Sequence, residues 1–231
     1  MSGHHYRIVG HALCPYVQRV VIVMLERNIA FDRTDIDLDN KPEWLDGISP
    51  NGQVPVLQVD HDGWLFESGV IAQYLDQVSG NHLLPPDPLD RAQHRAWMSF
   101  ADGMLNIVAR IIYREADADG ARDAMTELLR RVEIVEARLP REKYLAGPDF
   151  GLLDAVFATL FRYFPVLDKV TDVQIQAKLA DGLSDWWERV RVRPSIAAAV
   201  PENYEDQLVR FIWAKNSHAG RVLAQHQAAG L

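Results

Sequence analysis

Three prolines crowd into Leu84-Pro85-Pro86-Asp87-Pro88, and the hydrophobic pattern changes kind across them. Proline fixes its own φ and withholds a backbone donor, so neither a helix interior nor an inner strand runs through such a stretch. A stiff linker over residues 80–90 is expected, separating residues 1–79 from residues 91–231. Ahead of it, strand and helix periods alternate. Tyr6–Gly10 reads as a strand, and Val17, Val20, Val21, Met24 and Leu25 mark one face of a helix. Phe31–Leu38 reads as a second strand, and Lys41–Leu45 opens a short helix with Pro42 in its first turn. Val54–Val59 and Trp64–Phe66 flank the turn Asp60–Gly63 as a hairpin. Ser68 is placed to cap a helix whose apolar face is Val70, Ile71, Tyr74, Leu75 and Val78. The predicted order is β-α-β-α-β-β-α.

Beyond the linker every stripe is helical. Trp97, Phe100, Met104, Val108 and Ile111 form one, and Met125, Leu128, Leu129, Val132, Val135 and Leu139 a second. Leu153, Val156, Phe157, Leu160, Phe161 and Phe164 are apolar enough for a buried central helix. Ile175, Leu179, Leu183, Trp186, Trp187 and Val190 make a fourth stripe, and the chain from Ser217 onward reads as poorly anchored. No apolar run reaches the ~20 residues of a membrane span, and no signal-peptide pattern opens the chain. The net charge of -8 argues against nucleic acid or an anionic membrane as partner.

Cys14 is the only cysteine, which fits a reducing, cytoplasmic setting and excludes an internal disulfide. It stands at the start of the first helix, in Cys14-Pro15-Tyr16-Val17. There the unpaired N–H groups and the positive end of the helix dipole favour thiolate. A lowered thiol pKa and a nucleophilic sulfur are the expectation.

A cysteine after the first strand, Val54-Pro55 before a hairpin, and Glu67-Ser68 opening the next helix together resemble the glutathione transferase superfamily. Ile36–Trp44, Leu84–Asp87 and Phe164-Pro165 resemble its cysteine-type omega class in particular. The resemblance implies a thioredoxin-like, mixed-sheet N-terminal domain followed by an all-α domain that supplies an acceptor site. It implies glutathione as co-substrate, no metal and a homodimer. Cys14 would form a mixed disulfide with glutathione, with Tyr16 and Leu38 beside it. Val54, ahead of a cis Pro55, would pair its backbone with the cysteinyl part. Glu67 and Ser68 would hold the γ-glutamyl end, and Lys41 the glycyl carboxylate.

The expected activity is thiol transfer or dehydroascorbate reduction by a monothiol cycle, since Val17 stands where dithiol glutaredoxins keep a resolving cysteine. Conjugation, dehalogenation or ether cleavage of aromatic electrophiles is the alternative reaction, and a non-catalytic binding protein the alternative of another kind. Candidates for the acceptor site are Trp97, Met104, Tyr113, Phe161, Arg162 and Tyr204. Asp154 matches the family's buried capping box in the central helix. Gly151 replaces the usual Ser or Thr there, at an expected cost of only a few tenths of a kcal/mol.

Overall fold

Both faces of the first strand are covered, and the fold grows outward from it. The computed structural model describes residues 4–80, 82–138 and 142–228. Strand β1 (Tyr6–Gly10) pairs in parallel with β2 (Asp32–Asp35) and antiparallel with β3 (Val56–Val59). β3 pairs antiparallel with β4 (Gly63–Phe66), so the sheet runs β2-β1-β3-β4. Ile8 and Val9 are both buried although they point to opposite faces, as a central strand requires. The second helix expected from the sequence shrinks to a 3₁₀ turn at Glu43–Leu45, where only Leu45 finds a buried site. With that change, the mixed, thioredoxin-like β-α-β-α-β-β-α unit is present.

Helix α1 (Pro15–Glu26) follows β1, and α2 (Ser68–Val78) follows β4. Gly10 lets α1 start flush with the strand: a Cβ there would lie 2.3 Å from a Val17 methyl carbon. The N-cap of α2 is Glu67, and Ser68 is its first helical residue; the expected Ser68 cap is displaced by one position.

The rest is helical: α3 (Pro88–Tyr113), α4 (Ala118–Arg138), α5 (Leu152–Phe161), α6 (Phe164–Leu167), α7 (Asp181–Arg191), α8 (Pro194–Ala198), α9 (Tyr204–Trp213) and α10 (His218–Ala228). Asp87 caps α3 by accepting from the Leu89 and Asp90 amides. Of the second stripe, Leu139 lies outside the described residues. Ile175 and Leu179 precede α7 in a loop and 3₁₀ turn instead of extending it. The tail is anchored, against expectation. Ser217, Ala219 and Leu223 are buried, and Ser217 Oγ accepts from the Gly220 amide. No described helix is long and apolar enough to cross a membrane.

All ten residues of α5 are buried, and Asp154 organises its start. Its carboxylate accepts from the amides of Leu145 (2.8 Å), Gly151 (2.9 Å) and Ala146 (3.3 Å) and from Trp186 Nε1 (2.7 Å). Burial pushes this carboxyl above its ordinary value, and the four donors oppose that rise. Gly151 proves to be more than a tolerable cap. A Cβ there would sit 2.5 Å from Ala146 Cβ and 2.9 Å from the Leu83 carbonyl oxygen. Close approach of two loops requires glycine.

Helix α1 packs against α2, α5 and α8. At its end Glu26 takes both Arg193 nitrogens, Nε at 2.6 Å and Nη2 at 2.7 Å, and the Ser195 hydroxyl. Burial alone would raise the Glu26 carboxyl, but these partners together hold it below the ordinary range.

Three stability outcomes follow, each read from urea unfolding midpoints. Gly151→Ser, favourable by generic cap preference, loses about 1–3 kcal/mol through overpacking. Asp154→Ala loses about 3 kcal/mol by orphaning buried donors. The gap between the native chain and Glu26→Gln is widest above pH 4.5 and closes as pH falls through the lowered Glu26 pKa. A constant gap down to pH 2 would show that the ion pair does not set it.

Candidate functional site

A cleft of about 790 Å³ opens where the ends of β1 and β3 meet α3 and α9. Cys14, Tyr16, Leu38, Lys41, Val54, Pro55, Glu67 and Ser68 all stand on its wall. Residues spread over 55 positions of sequence thus converge because four strand-to-helix or strand-entry junctions face one space.

Cys14 is the N-cap of α1, with Pro15 as the first helical residue, and its side chain is partly exposed. Burial nevertheless pushes the thiol above its ordinary pKa. The backbone N–H groups of Val17 and Tyr16 and the Arg19 guanidinium pull it back without prevailing. The lowered pKa expected from helix position alone therefore does not hold in the empty cleft, because the wall around the sulfur excludes water more effectively than one helix end compensates. Tyr16 lines the cleft beside it, its hydroxyl raised to about 12 by burial.

Behind Tyr16 lies Arg19, fully buried, its guanidinium 5.0 Å from the Tyr16 ring centroid. Arg19 Nη2 donates to Asp102 of α3 at 2.6 Å, and Nη1 reaches Ser68 Oγ at 3.5 Å. One buried cation thus ties the starts of α1 and α2 to α3.

The peptide bond between Val54 and Pro55 is cis. Val54 lies two residues ahead of β3, and no backbone hydrogen bond among the described residues engages it. Its edge is free for an extended ligand. Glu67 adopts φ 68° and ψ 106°, a conformation that L residues rarely hold, while its carbonyl accepts from the amides of Val70 and Ile71. Backbone strain of this kind concentrates at binding sites. Lys41 Nζ donates to the Gly52 carbonyl at 2.8 Å, on the opposite side of Val54. A carboxylate-and-helix-start pocket, a free peptide edge and an ammonium are thus laid out around one sulfur. Among the described residues, no group of three or more His, Cys, Asp or Glu could hold a metal ion.

The other side of the cleft is mostly apolar, walled by Leu105, Val108, Ala109, Ile112 and Tyr113 of α3, Leu208 and Phe211 of α9, and His11 and Tyr163, with Asp102 and Asn106 as its polar members on α3. Of the six acceptor candidates, only Tyr113 is among them. The other five lie off this wall. Met104 points from α3 into the core. Phe161 packs between Phe164 and Trp186, since every face of α5 is covered. Trp97 rests edge-on against Phe100. Arg162 donates to Gln18 Oε1 at 2.7 Å and to the Ile196 carbonyl, and burial lowers its pKa to about 10. Tyr204 is buried under that guanidinium, 5.8 Å from its ring centroid.

The missed wall had a partial signal. Asp102, Leu105, Asn106, Ala109, Ile112 and Tyr113 line the cleft and recur at helical spacing as a second stripe beside the core stripe of α3. Leu208 and Phe211 had none, because nothing local says that α9 returns to the cleft.

Residues 13–78 match the glutathione S-transferase N-terminal domain and residues 97–194 the glutathione S-transferase C-terminal domain. The chain is 30% identical over 206 residues to glutathione S-transferase U24 of Arabidopsis thaliana, covering 87% of this chain and 91% of that protein. It is 26% identical over 214 residues to glutathione S-transferase omega-1 of Sus scrofa, covering 91% and 87% respectively. The tau class glutathione S-transferase from mango, Mangifera indica, superposes with a TM-score of 0.76 at 22% identity, covering 90% of this chain and 98% of that one. Relatives of both tau and omega classes therefore share the fold and length of this chain, which belongs to the glutathione S-transferase family.

Proposed function

We propose that this glutathione S-transferase works as a thiol transferase, using Cys14 to form a mixed disulfide with glutathione. The observation that carries the reading is the position of the sulfur. It lies at the N-cap of α1, on the wall of a cleft whose neighbouring groups match the three parts of the tripeptide.

In the proposed cycle the Cys14 thiolate attacks the glutathione sulfur of a glutathione–substrate disulfide. The substrate leaves as a thiolate and takes a proton, and the Cys14–glutathione disulfide remains. A second glutathione, as thiolate, attacks the glutathione sulfur of that bond. Oxidised glutathione departs and Cys14 is restored, so one disulfide is consumed and one formed. Glu67 and the start of α2 hold the γ-glutamyl ammonium and carboxylate, Val54 pairs with the cysteinyl backbone, and Lys41 turns from Gly52 to the glycyl carboxylate. Tyr16 packs beside the exchanging sulfurs. Dehydroascorbate reduction fits the same cycle: two glutathiones supply two electrons and are released as oxidised glutathione.

The likeness to proteins named for the tau class supports a second reading, conjugation of glutathione to an electrophile. The apolar half of the cleft would hold such an acceptor. Here Cys14 would assist the glutathione sulfur without bonding to it.

Cys14→Ala and Cys14→Ser separate the two. Under thiol transfer, exchange on the hydroxyethyl disulfide–glutathione adduct falls at least 100-fold in both variants, and exposure to oxidised glutathione adds one glutathione mass to the native chain alone. Retained exchange in Cys14→Ala, or vigorous chlorodinitrobenzene conjugation surviving in Cys14→Ser, supports conjugation instead. In the ligand-free protein, alkylation of Cys14 by iodoacetamide should still be accelerating with pH above 8, because its pKa is raised. A plateau reached near pH 6 would contradict the burial argument.

A further inference from the structure

We propose that the acceptor half of the cleft selects planar aromatic groups that carry a carboxylate, with Lys215 as the specificity-determining cation. The inference rests on the reading that glutathione occupies the polar half.

Three wall rings converge at the outer end of the apolar half. Tyr113 and Phe211 meet edge to face, with centroids 6.2 Å apart and planes at 86°. The His11 ring lies 5.8 Å from Phe211 at 42°. This corner offers aromatic faces and edges in two orientations, a geometry that holds a flat conjugated group better than a branched aliphatic one. Lys215, just past the end of α9, places Nζ 4.3 Å from the Phe211 centroid and 5.8 Å from that of Tyr113. Its charge also contributes to lowering the His11 pKa, so the ammonium belongs to the same corner, against two of the wall rings.

Other charges act on the corner as well, Asp39 on Tyr113 among them. Burial lowers the His11 pKa, with Arg33 and Lys215 adding to the drop and Asp35 and Asp37 opposing it; the ring is neutral at pH 7. Arg33 Nε is engaged with Asp35 at 3.1 Å, while its Nη2 has no hydrogen-bond partner among the described residues. Lys215 is half-buried and has no carboxylate partner among the described residues. It is held by rings alone, which leaves its donors open. On a chain of net charge -8 an anion gains nothing from the distant field, which salt screens beyond ~8 Å. Any preference for a carboxylate must come from local cations, and Lys215 is the one that stands over the Phe211 and Tyr113 rings. A carboxylate conjugated to an aromatic ring lies in the ring plane, so a ring laid against His11 and Phe211 carries its anion outward toward Nζ.

Two unreactive ligands test this without depending on the reaction catalysed. S-benzylglutathione and S-(4-carboxybenzyl)glutathione each fill both halves of the cleft, and calorimetry gives their affinities for the native protein and for Lys215→Met and Lys215→Arg. The carboxylated ligand should bind about fivefold more tightly to the native protein, the scale of one partly exposed ion pair. Lys215→Met should bring the two ligands to parity with S-benzylglutathione unchanged, and Lys215→Arg should restore the preference. Parity in the native protein, a preference that survives in Lys215→Met, or equal weakening of both ligands by that variant overturns the inference while glutathione binding stands. If neither these ligands nor glutathione itself binds, the reading of the polar half falls and this inference falls with it.

Discussion

Burial of α1 from both sides is the constraint on which the rest of the structure depends. Val17 to Met24 are all inaccessible, because the helix lies between the sheet and the helical half of the chain. A helix so enclosed has to find partners for its polar side chains, and only Arg19 Nε is left without one among its described buried side-chain atoms. Gln18 meets Arg162, Arg19 meets Asp102 and Ser68, and Glu26 meets Arg193 and Ser195. All but the Arg19–Ser68 contact join the chain before the prolines to the helical part after them. Cys14 inherits its position from this arrangement, since it caps a helix that has no freedom to tilt or slide.

The same enclosure explains the chemistry of the sulfur. Helix ends stabilise anions, but the gain is modest beside the cost of removing water from a charge. In the empty cleft burial prevails and the thiol keeps its proton more tightly than an ordinary cysteine. The cleft wall is also divided by chemistry. Polar partners and a free backbone edge gather on the sheet side, while α3 and α9 bring mostly aliphatic and aromatic side chains, with the Lys215 ammonium against Phe211. A ligand with a peptide-like end and a flat apolar end matches that division.

Local pattern carried much of this. The prolines near residue 86, the alternating periods before them and the helical stripes after them are properties of short windows, and the elements formed accordingly. The eight residues expected around glutathione also share one wall. They sit at element junctions, where turn and cap chemistry leave visible signs. The acceptor candidates fared differently, because a large side chain in a helical stripe looks the same whether it faces core or cleft. Met104 and Tyr113 lie on one helix, and only the packing of α5 and α9 decides that the first is enclosed and the second lines the cleft.

From residue order alone came the change from alternating to purely helical periods and the one cysteine at a helix start; the polar groups expected around a tripeptide came from the family resemblance. Tertiary structure decided the rest. It made Gly151 obligatory by pressing Ala146 and Leu83 against it, and it anchored the tail through Ser217 and Leu223. It also raised the Cys14 pKa and set Lys215 over Phe211 and Tyr113. Each of these depends on atoms brought close from distant positions. Periodicity and capping report only on the nearest few residues, whereas desolvation and steric contact depend on everything that surrounds a group in space.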